Sequence, residues 1–143
     1  MRGVMTVLAF ATVLLAGAAV PTIAQQTGEL FYQRLFEMDP TIRPLFKGDI
    51  KTQALMLMTV IGLAVRGLDR PQSIQEAVSA LGKRHAGYGV GLGDYNTFGA
   101  ALIWAMEQSM GQEFAPDVKA AWVEAYGVLS DAMKKATKEP HST

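Results

Sequence analysis

Leu81-Gly82-Lys83-Arg84-His85-Ala86-Gly87-Tyr88-Gly89-Val90 carries the only histidine of the chain outside its last three residues. Ile74, Val78 and Leu81 precede His85 by eleven, seven and four positions, which is the spacing of one helix face. That face is apolar, so the imidazole at its end points into the fold. A histidine in this position either satisfies itself on a nearby carbonyl as a core residue or ligates something the fold encloses. The stripe alone favours the first reading, because most buried histidines only hydrogen-bond.

Helical signals continue on both sides of this stretch. Over residues 29–37, Phe31 and Leu35 share one side with Tyr32 and Phe36 beside them, an amphipathic helix with an aromatic face. Asp39-Pro40 supplies a cap and a first-turn proline for a short helix limited by Pro44 and closed by Leu45-Phe46. Lys47-Gly48-Asp49 reads as a turn. Residues 50–68 are apolar on almost every side, which predicts a helix covered on several faces. Pro71 opens the helix that ends near His85, and Gly87, Gly89 and Gly91 make the connection after it. Asp94 is read as the cap of a helix through Phe98, Leu102, Ala105 and Met110, stopped by Gly111. The last helix starts at Pro116 and carries Val118, Trp122, Ala125, Leu129 and Met133 at helical spacing. Lys134, Lys135 and Lys138 sit at its carboxyl end, where the helix dipole favours them. No stretch alternates with a period of two, so the expected class is all-α.

The 143 residues are half hydrophobic, enough for one domain with a sizeable core. A formal net charge of zero and the lack of any long basic run argue against a nucleic-acid partner. With no cysteine, disulfides, thiolate metal sites and cysteine nucleophiles are excluded. One internal histidine and no triad leave hydrolase chemistry little to stand on. An all-α domain with a lone inward histidine and aromatic neighbours could enclose a flat apolar cofactor, and haem fits that description. Spacing alone does not establish it.

The residues carry a family resemblance. Leu30-Phe31-Tyr32-x-Arg34-Leu35-Phe36, Asp39-Pro40-x-x-Arg43-Pro44-Leu45-Phe46, Gln53-x-x-x-Leu57-Met58, Leu81-Gly82-x-x-His85-x-x-Tyr88-Gly89-Val90, Tyr95 and Ala121-Trp122-x-x-Ala125-Tyr126-Gly127 follow one another over residues 30–133. In order and spacing the set resembles a bacterial single-domain globin related to the haem domain of flavohaemoglobins. The resemblance implies a globin fold, a helical sandwich around haem b and its iron. It implies His85 as the proximal metal ligand, Phe46 wedged against the haem, and Leu81 beneath it. Tyr32 and Gln53 would form the distal, ligand-binding pair, with Leu57 narrowing the pocket and Val90, Tyr95 and Tyr126 completing the cofactor-binding set. A phenol and an amide there can donate hydrogen bonds to the partly negative end of a diatomic gas.

One position departs from the pattern. Where these relatives have a glutamate on the last helix that works with the tyrosine matched by Tyr95, this chain has Thr137. A neutral hydroxyl cannot supply the charge-assisted bond that polarises the proximal histidine. The resemblance therefore implies reversible binding of dioxygen first. Nitric-oxide dioxygenation with an external reductase is the alternative, and a haem-free helical regulatory domain comes third. Lys83 and Arg84 could pair with haem propionates or simply be solvated. Apolar residues on several helix faces leave room for a homodimer.

The amino terminus has two readings. Residues 1–24 suit a secretory signal peptide, with Arg2 first, an apolar run and a small residue at Ala24, which would place the protein outside the cytoplasm. They equally suit the first globin helix, which would leave it cytoplasmic, although Gly17 falls where the family has an aromatic. Residues 25–138 form the expected globin domain. Residues 139–143, with His141, form the expected flexible tail.

Overall fold

The computed structural model describes residues 21–67 and 69–138. They form five α-helices: α1 (Pro21–Met38), α2 (Ile50–Arg66), α3 (Pro71–Gly87), α4 (Asp94–Met110) and α5 (Pro116–Lys138). Short 3-10 helices occupy Pro40–Leu45 and Gly111–Glu113. There is no strand among the described residues, and the expected all-α class is met. None of the described helices is long and apolar enough to cross a membrane.

Local chemistry sets the helix ends. The Asp39 carboxylate accepts from the Thr41 amide at 3.0 Å, and Pro40 needs no amide partner at the first helical position. Asp49 caps α2 by accepting from the Thr52 amide at 3.3 Å. Asp94 is not the cap expected of it: it lies in the first turn of α4, with Gly93 at the cap position, and its carboxylate reaches back to accept from the Gly91 amide at 2.8 Å. Gly111 ends α4 with φ of +57°.

Two packed groups of helices make the body. α1 packs on α2 and α4, while α3 packs on α5. Gly28 lets α1 approach α2 closely, since a β-carbon there would lie 2.8 Å from the Ala54 β-carbon and carbonyl oxygen. Gly82 does the same between α3 and α5, where a β-carbon would meet the Met133 oxygen at 2.5 Å. Leu35, Met58 and Met106 are fully enclosed in the core. Thr27, also enclosed, donates to the Ile23 carbonyl at 2.8 Å and shares a 2.6 Å hydrogen bond with Ser109, tying α1 to α4.

Two features differ from the sequence reading. The amphipathic helix expected over residues 29–37 is longer than its stripe: α1 begins at Pro21, and Ala24 lies in the core. The apolar α2 was expected to be covered on several faces. Among the described helices it packs chiefly on α1, and Leu55, Met56, Val60 and Leu63 form an exposed stripe. Residues 1–20 and 139–143, including His141, lie outside the described residues.

Candidate functional site

His85 occupies the last turn of α3, and its face is as expected: Val78 is buried, and Ile74, Leu81 and His85 are half-buried. Its Nδ1 lies 2.9 Å from the Leu81 carbonyl oxygen one turn back. A carbonyl only accepts, so Nδ1 carries the proton and Nε2 keeps its lone pair. Burial holds the imidazole pKa below its ordinary value, opposed by the Leu81 bond and assisted by the neighbouring Arg84 charge. The ring is therefore neutral at pH 7, with one nitrogen anchored and the other available as a ligand. The Val90 amide donates to the His85 carbonyl at 3.0 Å, which folds the glycine-containing connection back against the helix end.

Tyr95 lies beside this histidine. The two rings are stacked, with centroids 6.5 Å apart and 26° between planes. Phe98 meets Tyr95 edge-on at 6.0 Å, and the Tyr126 hydroxyl donates to the Tyr95 carbonyl oxygen at 2.5 Å. Burial raises the pKa of both phenols, so both are neutral donors. The Tyr95 hydroxyl is enclosed and has no hydrogen-bond partner. Lys134 on α5 stands over the Tyr95 ring, its Nζ 5.7 Å from the centroid. Thr137 does not reach toward Tyr95; its hydroxyl donates to the Lys134 carbonyl at 2.6 Å.

A second aromatic cluster gathers where α1 meets the 3-10 helix after it. Tyr32 meets Phe31 edge-on at 5.0 Å and Phe46 edge-on at 5.2 Å, while Phe36 lies 6.0 Å from Tyr32 and 5.7 Å from Phe46. Tyr32 is 5% exposed, and its hydroxyl makes no hydrogen bond with any described residue. Burial pushes its pKa up to about 12. Leu57 is half-buried and packs on the same core. Gln53 is not joined to Tyr32: its amide donates to the Lys47 carbonyl at 3.3 Å, across the turn at Gly48. Of the two residues expected as a distal pair, Tyr32 offers an unengaged phenol and Gln53 an amide engaged with backbone.

Sequence reading missed two participants. Phe36 had been placed only on an aromatic face, yet it completes the cluster and carries the Arg43 guanidinium over its ring at 5.0 Å. Lys134 had been explained by the helix dipole alone. Its offset of eight residues from Tyr126, just over two turns, was the available signal that both reach the same part of α4.

Among the described residues no three His, Cys, Asp or Glu side chains gather to hold a metal ion. The chemistry offered is that of one neutral imidazole with a free Nε2 and of the unengaged phenols of Tyr32 and Tyr95, in apolar and aromatic surroundings.

A family model described as "Globin" matches residues 29–133. The chain is 30% identical to a flavohaemoprotein of Bacillus subtilis over 128 residues, covering 85% of this chain and 32% of that protein. It thus spans about a third of that relative's length. Among solved structures, an engineered carbene transferase described as a nitric oxide dioxygenase from Rhodothermus marinus superposes with a TM-score of 0.82 at 23% identity, covering 95% of this chain and 91% of that one. A bacterial globin from Campylobacter jejuni gives a TM-score of 0.82 at 18% identity, covering 96% and 95% of the two chains.

Proposed function

The chain belongs to the globin family, and from that premise we propose that it holds haem through His85 and reversibly binds dioxygen or a related diatomic gas. The observation that carries this reading is the fixed tautomer of His85. Its Nδ1–H is committed to the Leu81 carbonyl, so Nε2 is left as a neutral nitrogen ligand. Imidazole and surroundings fit haem: the macrocycle brings its own nitrogen donors, which a site with a single histidine requires, and its flat apolar body suits aromatic and aliphatic walls. When bound, haem supplies the iron at which a gas coordinates.

The remaining work falls to side chains of the chain itself. Tyr32, neutral and unengaged, donates a hydrogen bond toward the partly negative end of the gas and slows its escape. Gln53 joins it only by leaving the Lys47 carbonyl. Phe46, Leu57, Leu81 and Val90 would supply the apolar side chains that hold haem and exclude water from it. Tyr126 holds the backbone of Tyr95, which stacks on His85 and fixes its plane. Reconstitution of the purified chain with haem tests the reading. A Soret band that His85→Ala abolishes or shifts is expected, whereas no Soret band in the parent protein would overturn it.

A second reading is nitric-oxide dioxygenation with an external reductase. It is favoured by the similarity to a flavohaemoprotein and to a chain described as a nitric oxide dioxygenase. Sustained conversion of nitric oxide to nitrate under a reductant supports it, and a single stoichiometric reaction rejects it.

A further inference from the structure

The geometry points to Lys134 as a positioning residue of the proximal side, where its ammonium, held over the ring of Tyr95, biases the centre bound at His85 toward its reduced state. The inference rests on the proposed haem reading and deepens it.

Three contacts form a chain across two helices. The Lys134 Nζ lies 5.7 Å from the Tyr95 centroid, within the range where a ring face attracts a cation. Tyr95 is stacked on His85 with centroids 6.5 Å apart. Two turns before Lys134, Tyr126 clamps the Tyr95 carbonyl, so the ring that holds the cation is itself held at its backbone. Gly82 and Met133 meet backbone to backbone one residue before Lys134 and three before His85, which sets the depth of both side chains.

The sign follows from the charges that surround the imidazole. Its Nδ1 donates to a neutral carbonyl rather than to a carboxylate, so no anion enhances its electron donation. Arg84, next in sequence, adds a second positive charge in the same last turn of α3. The nearest acid along α4 is Asp94, whose carboxylate is engaged by the Gly91 amide, and on α5 Asp131 is exposed. Reduction of iron removes one positive charge from the centre, and a neighbouring half-buried cation, less screened than one in open water, favours the state with less positive charge. The threonine at position 137 leaves this arrangement undisturbed, because its hydroxyl is spent on the carbonyl of Lys134 itself.

The test uses the full haem-reconstituted chain with Lys134→Arg, Lys134→Met and Lys134→Glu, read by reduction midpoint potential and by the iron–histidine stretching frequency of the ferrous form. The expected potentials fall in the order parent and Lys134→Arg, then Lys134→Met, then Lys134→Glu, and the stretching frequency rises along the same order. Methionine keeps the apolar stem, so a graded response to charge separates electrostatics from packing. A potential that is the same for Met and Glu, or that follows thermal stability instead of charge, overturns the inference while leaving haem binding intact. Absence of a Soret band in the parent chain overturns both the functional reading and this inference.

Discussion

The hydroxyl of Tyr126 on α5 donates to the backbone carbonyl of Tyr95 on α4 at 2.5 Å. It is one of few polar links between these helices, and it lies next to the ring stacked on His85. Tyr126→Phe removes the donor and keeps the ring. The expected cost is about 1 kcal/mol of stability, read as a lower urea midpoint with unchanged slope. The iron–histidine band of the haem-loaded variant should also broaden as Tyr95 gains freedom. A midpoint equal to the parent's would show that the bond contributes nothing.

Gly82→Ala places a methyl group 2.5 Å from the Met133 oxygen and 2.8 Å from its α-carbon, both backbone atoms that cannot rotate away. α3 must move off α5, at a cost of about 1–3 kcal/mol. Thermal unfolding should register the loss. Because His85 follows three residues later, haem transfer to an acceptor apoprotein should also quicken. An unchanged melting temperature would mean the two helices separate freely at this crossing.

Tyr32→Phe should leave stability nearly unaltered, since the hydroxyl it deletes has no partner among the described residues. Its effect falls on the ligand: dioxygen should dissociate between about tenfold and a hundredfold faster, the equivalent of one charge-assisted hydrogen bond. Flash photolysis or stopped-flow mixing measures this. With its pKa pushed up to about 12, the phenol remains a donor throughout the neutral and mildly alkaline range. The parent's dissociation rate should accordingly show no tyrosine ionisation below about pH 10. Equal rates in parent and variant would remove Tyr32 from the ligand's surroundings.

The pH dependence of the haem-free protein follows from His85. Burial lowers its folded pKa below the unfolded value of about 6.5, so on acidification the unfolded chain takes up the proton first. Stability should be flat in this respect above about pH 6.5. It should decline as pH falls below that value, until the folded imidazole is protonated as well. His85→Gln should flatten that part of the urea-midpoint profile, and parallel profiles for the two proteins would contradict the buried, neutral assignment.

Much of this site was legible in the chain because helix periodicity reports faces. Ile74, Val78, Leu81 and His85 announced their shared side, and Tyr32 and Phe36 announced the aromatic wall. Periodicity does not report what lies opposite a face. The apolar α2 therefore promised more cover than α1 gives it, and Leu55 and Leu63 remain exposed. Residues 21–28 lack charge, so a leader and a helix suited the stretch up to Ala24 equally, and only the structure shows a helix starting at Pro21, a residue that suits a first helical position. Lys134 illustrates the other limit. A basic residue near a helix carboxyl end is explained by its own helix, and nothing local signals an aromatic ring on another element.

The glycine crossing at Gly82 also has a mechanical side. Helices separated by side chains absorb small displacements through rotamer adjustment, but backbone seated on backbone has no such slack. A displacement of the α3 backbone at Gly82 would therefore be passed directly to the Met133 backbone of α5.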